Sequence, residues 1–135
     1  MIVYSSSLVG IDQADLAGFW VGWPRPPSPA LHRRILRGSA VVVLAWDVAE
    51  GRVVGFITAV GDGVLAASIP LLEVLPAYQG RGIGTELVKR MSAELDCLYL
   101  VDLTCDPGLV PFYERLGLIH AEAMVSRRPA VLPEA

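Results

Sequence analysis

The stretch Leu71 to Thr85, LLEVLPAYQGRGIGT, constrains this chain more than any other. An apolar run stops at Pro76, glycines stand at the alternate positions 80, 82 and 84, and Glu86-Leu87-Val88-Lys89-Arg90-Met91 follows with helical character. That order predicts a strand, a tight turn and the start of a helix. Glycine adopts backbone conformations closed to other residues and lets a ligand approach the main chain closely. The N–H groups of a first helical turn have no partner within the helix. Together these properties suit an anion, most often a phosphate.

The spacing excludes two other phosphate loops. In Gly80-Arg81-Gly82-Ile83-Gly84-Thr85 the third glycine comes one position too early for a dinucleotide fingerprint, and no Gly-Lys-Ser/Thr follows as in a nucleoside triphosphate loop. The pattern Gln79-x-x-Gly82-x-Gly84 after Val74-Leu75-Pro76 resembles the acetyl-CoA loop of the GNAT acyltransferases.

With 135 residues the chain is expected to form one domain over residues 1–126, with a flexible tail over 127–135. Its hydrophobic share of 53% suggests spare apolar surface and a possible homodimer. The longest apolar run, Ala40 to Trp46, is too short to span a bilayer, and residues 1–5 do not read as a signal peptide, so a cytoplasmic protein without membrane partners is expected. A net charge of −3 argues against a nucleic-acid partner. The two cysteines, Cys97 and Cys105, indicate neither a metal site nor a disulfide framework and are expected to be buried thiols.

Taken in order, Ile2 to Ser5 reads as a strand, and Asp12 as the cap of a helix carrying Leu16, Phe19 and Trp20. Trp20 to Pro29 holds four prolines and two tryptophans, which forbids regular helix. A second helix is expected after Ser28, with Leu31, Ile35 and Leu36 inward and His32, Arg33 and Arg37 toward water. Ala40 to Asp47 and Arg52 to Gly61 read as a hairpin, Leu65 to Val74 as the next antiparallel strand, and Leu87, Val88, Met91 and Leu95 as the apolar face of the following helix. Leu98 to Thr104 is then a strand parallel to its predecessor, because a whole helix separates them. A helix opened by Asp106 and Pro107, irregular at Pro111, and a last strand from Leu118 to about Ser126 complete the chain.

This order resembles the GNAT fold from end to end. Phe112-Tyr113-Glu114-Arg115-Leu116-Gly117-Leu118 is similar to that family's second signature near the carboxyl end. The resemblance implies an α/β fold with a mixed, mostly antiparallel sheet. One parallel strand pair is splayed at the cofactor site where Leu71 to Leu75 ends, and helices flank the sheet. It also implies an acyl-CoA-dependent N-acyltransferase that moves acetyl from acetyl-CoA to a primary amine by direct attack in a ternary complex, without a metal. The acceptor class, small molecule, peptide or protein, stays open. A non-catalytic CoA-sensing or interaction domain, and an unrelated nucleotide-binding protein, are the competing readings.

Within that resemblance, Leu72 and Val74 are expected to offer backbone groups to the thioester carbonyl and pantetheine arm. The pyrophosphate falls to Gln79, Gly80, Arg81, Gly82, Ile83, Gly84 and Thr85. Phe112 is assigned to the cofactor side, as is Asp106, which stands where many members carry Asn. Tyr113 is the candidate general acid, because a phenol with pKa about 10 can protonate a thiolate of similar basicity. Glu73 and Asp102, the acids on the two central strands, are the candidate bases. Trp20 and Trp23 are expected at the acceptor, in the segment the family uses to cover that site.

Overall fold

The computed structural model of the chain describes residues 1–131. A five-stranded sheet in the order β1-β2-β3-β4-β5 is built from β1 (Ile2–Ser5), β2 (Val41–Asp47), β3 (Arg52–Gly61), β4 (Ala66–Val74) and β5 (Leu100–Asp102). Neighbours β1 to β4 pair antiparallel, and β5 lies parallel to β4. Connection length decides this. The short links before β3 and β4 permit only hairpins, whereas the route from β4 to β5 contains a helix. Side-chain chemistry closes the second hairpin, where Asp62 Oδ1 accepts from the N–H groups of Val64, Leu65 and Ala66 at 2.8, 2.7 and 3.2 Å.

Three helices flank the sheet: α1 (Pro29–Gly38), α2 (Ile83–Glu94) and α3 (Val110–Arg115). Ser28 caps α1 by accepting from the Leu31 N–H at 3.1 Å. The face of α2 expected from the sequence is buried, at Leu87, Val88, Met91 and Leu95. It lies close because Gly55 has no side chain, and a Cβ there would come within 3.1 Å of Leu87 Cδ1 and 3.2 Å of Ile83 Cγ2. Successive strand residues point to opposite faces. Phe56 and Thr58 therefore face the other side, where α1 and a 3₁₀ turn over Gln13–Leu16 pack. Among the described residues no helix is long and apolar enough to cross a membrane.

Several expectations are corrected. The segment after Asp12 is not a helix but that single 3₁₀ turn, tied by Asp12 N–H donating to Asp15 Oδ2 at 2.8 Å and left through Gly18 at φ 87°. His32, expected toward water, is fully buried. It sits on the inner face of α1 with Leu31 and Leu36, and the rings of Phe19, Trp20 and Phe56 close around it. Cys97 is exposed in the turn after α2, and Cys105 is half-buried.

The last expected strand, Leu118 to Ser126, does not form. The segment carries the alternation of a strand, but a strand exists only beside a neighbour, and none pairs with it among the described residues. Ile119 and Met124 are accordingly 90% and 100% exposed. Of the expected tail, Pro129–Val131 forms a 3₁₀ turn. Residues 132–135 lie outside the described residues.

Candidate active site

The parallel pair β4·β5 is short, comprising Ala66↔Leu100, Ala67↔Val101 and Ser68↔Asp102, while β4 continues to Val74. From Ile69 onward β4 has β3 on one side and no strand on the other, so the splay opens sooner than the sequence led us to expect. The Leu75 N–H donates to the Val54 carbonyl at 2.9 Å. By strand alternation the main-chain groups of Leu72 and Val74 then point to the open side. The side chain of Gln79 agrees, since its Nε2 donates to the Val74 carbonyl at 3.1 Å.

The glycine loop stands at the mouth of this opening. After a 3₁₀ turn over Pro76–Tyr78, Gly80 and Gly82 adopt φ 77° and 80°, and Gly82 is the N-cap of α2. A non-glycine residue pays for this left-handed conformation. Glu86 N–H donates the first helical bond to the Gly82 carbonyl at 3.0 Å, so the amides of Ile83, Gly84 and Thr85 precede the ladder. A Cβ on Gly84 would lie 3.8 Å from Phe112 Cζ and 3.9 Å from Val74 Cγ2. Loop, splay and α3 therefore meet at Gly84. Beside them the Arg81 guanidinium lies 4.9 Å from the centre of the Tyr78 ring, and the Tyr78 hydroxyl donates to Asp47 Oδ2 at 2.6 Å.

Tyr113 is buried, next to Phe112 with ring centres 4.9 Å apart. Burial, and secondarily Cys105, pushes its phenol above the usual 10, so the hydroxyl keeps its proton at neutral pH. Asp106 is exposed and caps the 3₁₀ turn Pro107–Leu109 through its carbonyl, which accepts from Leu109 N–H at 2.9 Å. Asp102 is exposed on β5 and accepts a hydrogen bond from Ser68 Oγ.

Across β4 lies a cavity of about 180 Å³, lined by Trp20, Trp23, Phe56, Pro70 and the segment Leu71 to Glu73. Trp20 and Trp23 stand edge to face at 5.1 Å. Both oxygens of Glu73 accept from Trp20 N–H, at 3.0 and 2.8 Å, and Oε1 also accepts from Val21 N–H at 3.1 Å. Trp20 has φ 68°, a conformation that costs a bulky residue on the order of 1–2 kcal/mol. Behind the cavity His32 packs against Trp20 and Phe56 at 5.0 and 4.4 Å between ring centres. Both His32 ring nitrogens, Trp20 Nε1 and Thr58 Oγ1 are buried without a hydrogen-bond partner among the described residues. Burial lowers the imidazole pKa from 6.5 to about 4, so it is neutral.

The structure thus brings Glu73, Trp20 and Trp23 to one cavity, and Gly84, Val74 and Phe112 to one junction on the open side of β4. Asp102 is outside the cavity lining. Sequence reasoning missed Phe56 and His32. The pairing Phe56↔Glu73 is what carries Phe56 to the cavity. For His32 the available signal was its place one turn before Leu36 on a helix whose opposite face is rich in arginine.

Residues 8–118 match the model of the acetyltransferase (GNAT) family. The chain is 35% identical over 101 residues to an uncharacterized N-acetyltransferase, ycf52-like, of Prochlorococcus marinus, covering 72% of this chain and 56% of that protein. It is 38% identical over 101 residues to serotonin N-acetyltransferase 2, chloroplastic, of Oryza sativa subsp. japonica, covering 72% of this chain and 50% of that protein. The chain therefore spans about half the length of these relatives. A solved structure of a candidate acetyltransferase from Deinococcus radiodurans R1 superimposes with TM-score 0.92 at 51% identity, over 96% of this chain and 90% of that one.

Proposed function

The chain belongs to the acetyltransferase (GNAT) family, and from that premise we propose that it transfers acetyl from acetyl-CoA to a small primary amine in a ternary complex. The observation that carries this reading is the junction at Gly84, where the free amides opening α2 adjoin the unpaired edge of β4. In this reading the amides of Ile83, Gly84 and Thr85, aided by the helix dipole and Arg81, hold the pyrophosphate. The main-chain groups of Leu72 and Val74 align the pantetheine arm and thioester carbonyl. The amine, its ammonium proton lost to solvent, attacks the thioester carbon; as the C–S bond breaks Tyr113 gives its proton to the departing thiolate, and the proton shed by the new amide nitrogen restores the phenol.

The amine enters from the opposite side of β4, into the cavity of Trp20, Trp23, Phe56 and Glu73. Aromatic faces attract a cation, and the Glu73 carboxylate adds negative charge. Arylalkylamines, the class suggested by the name of the rice relative, therefore head the panel to try. A homodimer belongs to the same reading. In an extended segment Ile119, Ala121, Ala123 and Val125 point to one side, an exposed apolar row suited to a second copy. Light scattering would then give twice the 14.5 kDa of one chain, and a monomer would remove the dimer from the proposal.

CoA and acetyl-CoA are expected to raise the melting temperature, by on the order of 1.4 kcal/mol of stability at ten times Kd. Gly82→Val, which forces a branched side chain into φ 80°, should abolish the shift. A folded Gly82→Val with the full shift would disprove the loop assignment. CoA binding with no acetylation across a broad amine panel would instead fit a non-catalytic CoA-binding domain. Trp23→Ala should raise the acceptor KM severalfold, at unchanged CoA affinity by calorimetry. Equal losses in both would make Trp23 a core residue.

A further inference from the structure

Trp20 is the sole non-glycine residue with positive φ among the described residues, at 68°. Glycines flank it, Gly18 at φ 87° and Gly22 at φ 83°. The segment therefore has a freely rotating joint on either side of a bulky residue that resists its own conformation. Yet Trp20 is only 5% exposed, its ring fixed against Trp23, His32 and Phe56. The backbone needs an external hold. Two successive N–H groups, of Trp20 and Val21, converge on the Glu73 carboxylate from 53 and 52 residues away in sequence. Left-handed backbone aims consecutive amides at one point, and a carboxylate there forms charge-assisted bonds. Glu73 is directed to them by the sheet, since it pairs with Phe56 and shares that residue's face.

We propose that Glu73 is a positioning residue of the acceptor pocket: its carboxylate holds Trp20 in the left-handed conformation that stands the Trp20 and Trp23 rings up as the pocket wall. The assignment rests on the acceptor reading above for its kinetic consequence, but not for its structural one. The hold acts on the amine side of β4, whereas the loop that takes CoA lies on the other. Loss of the carboxylate should therefore loosen amine binding without touching CoA binding.

The test compares Glu73→Ala with Glu73→Gln, the latter keeping a carbonyl oxygen that can accept from Trp20 and Val21. Glu73→Ala is expected to lose the circular-dichroism signal of the coupled Trp20–Trp23 pair, to admit acrylamide to Trp20, and to raise the acceptor KM about tenfold with the CoA-induced melting shift intact. Glu73→Gln should retain most of the spectroscopic signal and turn over faster than Glu73→Ala, with a smaller rise in acceptor KM. If Glu73 served instead as the proton acceptor, Gln would lose turnover as completely as Ala while the tryptophan signals stayed unchanged, and the proposal would fall. Should Glu73→Ala not fold, amide exchange on the original chain decides: Val21 N–H protected despite its exposed side chain supports the hold, and free exchange overturns it. The spectroscopic arms need no substrate, so lost tryptophan coupling in a chain that acetylates no amine would overturn the acetyltransferase reading and leave this one standing.

Discussion

Tyr113→Phe is expected to lower turnover about a hundredfold or more while leaving the fold and CoA affinity in place. The substitution removes one hydroxyl and keeps the ring that packs beside Phe112. A phenol pushed above its usual pKa by burial is protonated throughout the neutral range, which is the state a general acid needs when a thiolate departs. The loss should therefore be uniform across neutral pH. Single-turnover measurement with preformed enzyme and acetyl-CoA isolates the chemical step. An unchanged rate there would reduce Tyr113 to a packing residue of the core.

The second large effect is on stability. His32 has its pKa lowered from 6.5 to about 4 by burial. The unfolded chain takes up the proton near 6.5, while the folded chain resists until about 4. His32 thus leaves stability intact above pH 6.5, and stability is lost as pH falls from 6.5 to 4, by up to about 3 kcal/mol at 1.36 kcal/mol per unit. Asp47 and Asp62 have carboxylates stabilised by hydrogen bonds, first from Tyr78 and from Leu65 N–H respectively, and lose their contribution only below the ordinary carboxylate range. Denaturant unfolding of the original chain and His32→Leu, at pH 7 and at pH 4.5, separates these groups. The gap in stability between the two proteins should shift toward His32→Leu at the lower pH. Parallel pH curves would show that His32 is reached by water or a partner in solution.

The cavity side and the glycine-loop side of β4 were unequally legible. Loop chemistry is local: Gly80, Gly82 and Gly84 stand close together in sequence, and left-handed φ at Gly80 and Gly82 is a property of glycine itself. The hairpin after Asp47 and the helix after Gly82 follow from short-range rules of the same kind, and so does the parallel placement of β5, which needs only the length of its crossover.

What the amino-acid order determined by itself was therefore the family, the order of the five strands that form, the glycine loop and the buried face of α2, features carried by short motifs and by the lengths of the links between them. Tertiary structure decided that His32 turns inward, because three rings from distant segments close on it. It likewise decided that Trp20 takes φ 68° under the carboxylate of Glu73. It also left Leu118 to Ser126 without a strand partner, despite its alternating pattern. Local propensity names what a segment can be, whereas burial, a long-range hydrogen bond or a missing neighbour selects what it is.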